Sequence, residues 1–402
     1  MSSENASYRQ LLSDDHVRLM LGAACMSRLA SRMFTLVIIL YALSRYRSAE
    51  AAGWISFAAV APGLLISPIS GAFLDRIGAH RAIVVDMVVS ALLVVILVLV
   101  DKLELANQAP LFLLVAIYSL TNPLGVAGIR TLLPRLVPRG DLERINAVDT
   151  AVYAAVDVLG PALGGVLFSF LGGTITFSII AIFYGVAAVC IYRVHVPWAN
   201  TSHTGSIWRQ AYEGIRAVVS QPTLRGLAIS YSLYQISWGA LSIVVPVVVG
   251  MHFGEGASDT ITGLLWAVVG AAGGIGALVI GRFRMRGRER IVMATGMAAT
   301  ALATWPVAAY FGPLGVVLGL VIAGIAVGPI DVGLLTLRQR RTEPSKLGRV
   351  LSVSFSLNMS GFPIGAAVAG LLVSGSPSTT LMFAALTAAL ASMLVFSIPA
   401  RE

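Results

Sequence analysis

Charge is what this 402-residue sequence has least of. Asp, Glu, Lys and Arg make up 12% of it, where soluble domains carry about 25%. Hydrophobic residues reach 57%, and the mean hydropathy is +0.85. That balance excludes an ordinary soluble enzyme, a disordered chain and a nucleic-acid-binding module. Cysteine is nearly absent too: Cys25 and Cys190 both lie in apolar runs, giving neither a disulfide framework nor a metal site. No histidine falls mid-span, so a histidine relay is not expected. No G-x-x-x-x-G-K-[ST] loop occurs, which argues against intrinsic ATP hydrolysis. Neither a metal-ligand cluster nor a nucleophile–base constellation is found, and no enzyme activity is expected. The polar, mildly acidic stretch Met1 to His16 is unlike a basic, cleavable signal peptide.

What the sequence has instead is long apolar runs. At about 20 residues per span, cuts at charges and at Gly/Pro turns give twelve helices. They lie near 17–43, 50–74, 82–101, 109–132, 147–171, 174–194, 224–250, 260–281, 291–311, 313–337, 347–373 and 378–399. The runs do not alternate as the strands of a membrane barrel would. The expected fold is therefore an all-α integral membrane protein in the lipid bilayer, with no nucleic-acid partner.

The net charge of +9 reads as a topology signal. With both termini cytoplasmic, 23 of the 28 Lys/Arg fall on the cytoplasmic side; Arg45, Arg47 and Lys102 are periplasmic and Arg28 and Arg32 lie inside the first helix. The positive-inside rule selects that orientation.

The longest hydrophilic stretch separates residues 1–194 from 224–402, six spans each. Within the linker 195–223, Ile207, Trp208, Ala211, Tyr212, Ile215, Val218 and Val219 recur at helical spacing. This predicts an amphipathic helix on the cytoplasmic membrane surface, with a soluble linker helix as the alternative. The halves also repeat. A shift of 205 residues aligns Arg135 with Arg340, Leu142 with Leu347, Gly160 with Gly365 and Gly165 with Gly370. Two parallel six-helix repeats are the mark of a rocking transporter whose substrate site lies between them.

Between the second and third helices the sequence runs Gly71-Ala-Phe-Leu-Asp75-Arg76-Ile-Gly78-Ala-His-Arg81. It resembles the G-x-x-x-D-R-x-G-x-x-R signature of the major facilitator superfamily, and the resemblance covers the whole chain. Leu133 to Ala147, followed by Gly160-Pro161-Ala-Leu-Gly164-Gly165, is similar to the branch of macrolide-efflux proteins and enterobactin exporters. The Gly-Pro-x-x-Gly-Gly element is also similar to the helix-five motif of drug antiporters. This sequence has Val156 where that motif starts with glycine. It has Tyr118, Thr121 and Asn122 where many drug/proton antiporters carry a helix-four arginine.

The resemblance implies two pseudo-symmetric six-helix bundles working by alternating access. It also implies a cytoplasmic gate formed by Gly71, Asp75, Arg76, Gly78 and Arg81, with Asp86 a possible local partner. The matching loop of the second half, Arg282 to Arg290, lacks the aspartate, so the latch should be asymmetric. Gly160, Pro161, Gly164 and Gly165 are expected to serve conformational change. The run Gly270 to Gly276 lies inside a span and reads as small-residue packing.

Charges within spans usually face a cavity or a partner. Asp157 lies 11 residues beyond Asn146, about 16 Å along a helix. Arg28 and Arg32, four apart, share one face of the first helix. Three readings stay open. Asp157 is a proton-linked carboxylate tuned by Arg28 or Arg32; or the charges form a permanent ion pair; or the arginines anchor an anionic substrate. Asp149 and Asp331, nearer the span ends, rank below Asp157. Tyr231, Tyr234, Gln235 and Trp238, with Asn122 and Asn358, suit a large, partly apolar ligand, although such stripes are also ordinary helix packing.

The function expected is proton-coupled efflux of an amphipathic small molecule, such as a drug or siderophore-like metabolite. The setting is a bacterial inner membrane, the protein a monomer, and the proton gradient rather than a cofactor the energy source. The alternative is an importer of a sugar or organic anion that binds substrate through Arg28 and Arg32. A membrane-embedded enzyme or signalling protein is a third class, without the clustered catalytic groups it would need.

Overall fold

The computed structural model describes residues 13–105, 107–133, 136–137, 142–194, 212, 215–216, 218–281, 287–307, 311–342 and 347–399. Side chains at 68–69, 71–76, 130, 142–144, 146–147, 150–151, 255–257, 281, 306–307, 339, 347–349 and 351–352 lie outside the description. Most of the linker 195–223 is therefore not described. Its helical residues at 212, 215–216 and 218–220 carry exposed Tyr212, Ile215 and Val219 and buried Val218.

Among the described residues, twelve long helices follow in chain order. In the first half they are α1 Asp15–Tyr46, α2 Ala49–Ile77, α3 Ala79–Lys102 and α4 Gln108–Leu132. Next comes the continuous helix Leu142–Tyr192, which Gly172 at φ 73° divides into α5 and α6. The second half holds α7 Pro222–Phe253, α8 Glu255–Gly281, α9 Glu289–Leu302, α10 Gly312–Arg340, α11 (Leu347–Met359 and Gly361–Val373) and α12 Pro377–Val395. Among the described residues, ten stretches are long and apolar enough to cross a membrane. The number becomes twelve once α5 and α6 are separated and α9 is included. α9 has only 14 regular residues before a π-helical turn, Ala303–Val307. That turn falls at Trp305-Pro306, where proline withdraws a backbone donor.

Local chemistry explains several boundaries. The Asp14 carboxylate caps α1 by accepting from the backbone N–H of His16 at 2.8 Å and of Val17 at 3.0 Å, the usual N-cap arrangement. Gly78, at φ 82°, takes the left-handed turn between α2 and α3 that a Cβ would disfavour. Outward faces are apolar at helical spacing, as with Leu318, Ile322 and Ile325 of α10, and suit lipid.

In lipid, helices associate through close packing and interhelical polar contacts. Both occur here. The gap between α8 and α10 is closed by small residues: a Cβ on Gly276 would come 2.1 Å from Ile325 O, and one on Gly328 2.2 Å from Gly273 O. At the end distant from the termini, Asp101 accepts from Tyr41 Oη at 2.5 Å and Thr174 Oγ1 at 2.9 Å, joining α3 to α1 and α6. At the end carrying the termini, buried Glu289 pairs with Arg340, joining α9 to α10.

The 205-residue repeat has a counterpart in the packing. A Cβ on Gly160 would meet Arg32 Cβ of α1 at 2.4 Å, and one on its equivalent, Gly365, would meet Ile236 O of α7 at 2.0 Å. Each half thus seats its fifth helix against its first at matching glycines.

Candidate functional site

Two ion pairs run along the contact between α1 and α5. Arg28 Nη1 lies 2.6 Å from Asp149 Oδ1, and the two side chains are 10% and 15% exposed. One turn further, Arg32 Nε lies 2.6 Å from Asp157 Oδ1, with 43% and 41% exposure. Tyr153 stands between the two aspartates in sequence. Its ring centroid is 4.5 Å from the Arg28 guanidinium carbon and 5.8 Å from that of Arg32, within cation–π range. The helices come this close because Gly160 and Gly164 face α1; a Cβ on Gly164 would press on Val37 Cγ2 at 3.2 Å and Met33 Cα at 3.3 Å. Of the two arginines weighed as partners for Asp157, the structure pairs Arg32. Arg28 goes to Asp149, which ranked lower in sequence.

The exposure difference separates the pairs chemically. Arg28–Asp149 is closed off, so its charges neutralise each other away from solvent. Arg32–Asp157 is half-exposed as a pair, although the Asp157 Oδ1 that meets the guanidinium is itself buried.

In the second half, Tyr231 Oη donates to Asp331 Oδ1 at 2.6 Å. The two sit at matching depth, nine residues from Pro222 and from Arg340 respectively. Asp331 follows the outward-facing Ile322 by nine residues, half a turn of helix phase at 3.6 residues per turn. It therefore points into the bundle, yet it is exposed. Asp157 is close enough to Asp331 for the two carboxylates to act on each other electrostatically. Asp331 is in the second half and Asp157 in the first, within electrostatic reach of each other.

The other expected ligand-facing groups divide. Asn358 is buried; oriented by its neighbours, it accepts from Arg338 Nη2 at 2.6 Å and donates to Ser354 O at 3.1 Å. Tyr234 is buried with its hydroxyl 3.0 Å from Thr300 Oγ1 of α9. Gln235 Nε2 donates to the Met359 sulfur at 3.1 Å. The rings of Tyr231, Tyr234, Trp238 and Trp266 follow one another at 5.9, 6.3 and 6.1 Å. In the first half, Asn122 Nδ2 donates to Ser31 Oγ at 3.3 Å. The Tyr118 and Tyr184 hydroxyls meet at 2.5 Å.

Of the gate residues, the side chains of Gly71, Asp75 and Arg76 lie outside the described residues. Gly78 forms the α2–α3 turn and Arg81 is exposed. Asp86 is 7% exposed. Its Oδ2 fills a notch where a Cβ on Gly125 would stand 2.0 Å away, and its Oδ1 is buried without a hydrogen-bond partner.

Two glycine contacts join the halves. A Cβ on Gly165 of α5 would lie 2.8 Å from Gly263 Cα of α8, and one on Gly370 of α11 would lie 3.1 Å from Gly53 Cα of α2. Further along the second seam, Ser356 Oγ donates to Ser67 Oγ at 2.9 Å. Sequence reasoning missed Tyr153, Gly53 and Gly263. The i, i+4 spacing of Tyr153 to Asp149 and Asp157 was a usable signal for the first.

Comparison with known proteins places this architecture. The family model described as Major Facilitator Superfamily matches residues 20–283 and 227–402. The chain is 50% identical over 394 residues to y4rN of Sinorhizobium fredii, described as an uncharacterized MFS-type transporter, covering 98% of this chain and 97% of that one. It is 28% identical to the multidrug efflux pump Tap of Mycolicibacterium fortuitum, covering 80% of each. It is 25% identical to the enterobactin exporter EntS of Citrobacter koseri, covering 61% and 58%. Its fold matches the crystal structure of the nucleoside transporter NupG with a TM-score of 0.75 at 16% identity, covering 94% of this chain and 99% of that one. Twelve spanning helices in two repeated bundles, the family match over nearly the whole length and these relatives agree: the chain belongs to the Major Facilitator Superfamily and is a multi-pass membrane transporter.

Proposed function

We propose that this transporter exports amphipathic small molecules, drug-like or siderophore-like, in exchange for protons. It would work as a monomer in a bacterial inner membrane with both termini cytoplasmic. The observation that carries this reading is the half-exposed Arg32–Asp157 pair at the boundary between the halves. A carboxylate beside a guanidinium holds its charge; a proton taken from an opened chamber discharges it and releases the arginine. Protonation would then change the forces between α1 and α5 in one of two rocking states.

The efflux direction draws support from the Tap and EntS likenesses. The lysine and arginine distribution supports the orientation, and the family resemblance of the Gly71–Arg81 segment supports its role as latch. Anchoring of an anionic substrate by Arg28 and Arg32 has less support, because Asp149 and Asp157 already balance both guanidiniums. Flux in sealed proteoliposomes under an imposed pH gradient tests the reading. Proton-in, substrate-out exchange is the expected result, and uptake in the same direction as protons would refute it.

A further inference from the structure

Asp331 carries a charge that the proton-linked pair does not use. It lies on the face of α10 opposite the lipid-facing Leu318, Ile322 and Ile325, and it is exposed there. A carboxylate inside a membrane bundle is tolerated where it meets water or a partner. Among the described residues, no Lys, Arg or His lies within ion-pair distance of it. Arg338 is near enough to act on it electrostatically, but that guanidinium is buried and donates to Asn358. Asp157, across the boundary, is already matched by Arg32. What remains is a negative charge, oriented by the Tyr231 hydroxyl, at the foot of the Tyr231–Tyr234–Trp238–Trp266 ring series.

We infer that Asp331, held by Tyr231, is the point at which the transporter recognises a positively charged nitrogen or phosphonium centre on its substrate. The inference rests on the transport reading above and names its substrate class: organic cations with an apolar body. An organic cation at Asp331 gives that carboxylate the ion-pair partner it lacks, while Asp157 stays matched by Arg32. The proton site and the cation site are separate residues on separate halves.

The test is equilibrium binding to the purified full chain, which does not depend on coupled flux. The probes are tetraphenylphosphonium and tetraphenylsilane, a cation and a neutral molecule that each carry four phenyl groups on one tetrahedral centre. The wild type is expected to bind the cation more tightly. Asp331→Asn is expected to weaken cation binding by about tenfold or more, the scale of one lost charge-assisted contact, and to leave the neutral probe unchanged. Asp331→Glu should retain the preference. Tyr231→Phe keeps the carboxylate but frees it, and should cost the cation alone several-fold; it decides the matter if Asp331→Asn does not fold. Equal affinity of the wild type for both probes, or equal loss of both in the variants, overturns the inference. So does a preference that survives Asp331→Asn and vanishes in Asp157→Asn. Failure of proton-driven flux with the cation preference intact would instead count against the transport reading alone.

Discussion

Gly165 on α5 and Gly370 on α11, 205 residues apart, each meet a glycine of the opposite half. Gly165 lies against Gly263 and Gly370 against Gly53, with no room for a Cβ at either contact. The repeat in the sequence is thus a repeat in how the two bundles touch, and both contacts lie toward the end distant from the chain termini.

Leucine at either position should open that end. With spin labels at exposed Leu171 and Met251, Gly165→Leu and Gly370→Leu are expected to shift the distance distribution to longer values. An unchanged distribution in both variants would show that the seams do not hold the halves together.

Arg28 and Asp149 form a closed pair, so losing one partner strands the other. Arg28→Ala or Asp149→Ala should destabilise the protein by about 3–5 kcal/mol, read as a lower melting temperature in detergent. Arg28→Met combined with Asp149→Leu should recover most of the loss, because the apolar pair strands no charge. A double variant no better than the singles would contradict this.

The Asp86 notch makes a similar pairwise claim. Gly125→Ala places a methyl group 2.0 Å from Asp86 Oδ2, so it should lower thermal stability. Asp86→Ala should relieve that effect in the double variant, a coupling that a double-mutant cycle measures. Additive losses would mean that the two side chains do not compete for one space.

Much of this was legible in the sequence. Spans about 20 residues long announce themselves through unbroken apolar composition, and the Gly172-Gly173 pair marked the division of α5 from α6. The shortness of α9 was not visible, because an apolar run reads the same whether its last turn is α or π. The partner of Arg28 was not visible either. Asp149 and Asp157 lie on the same side of α5, and only the vertical offset set by Gly160 against Arg32 decides which arginine each one meets. Asp331 was undervalued because distance from a span end was weighed and helix phase was not. Nine residues from Ile322 already placed it on the inner face, but its exposure there is a property of the folded bundle.

The most direct test concerns Asp157. The protein and its Asp157→Asn variant should be reconstituted into liposomes, and substrate movement recorded with and without an imposed proton gradient. The account expects wild-type flux to follow the gradient, and Asp157→Asn to lose gradient-driven flux while still exchanging substrate at equal pH. Gradient-driven flux in Asp157→Asn equal to that of the wild type would contradict it.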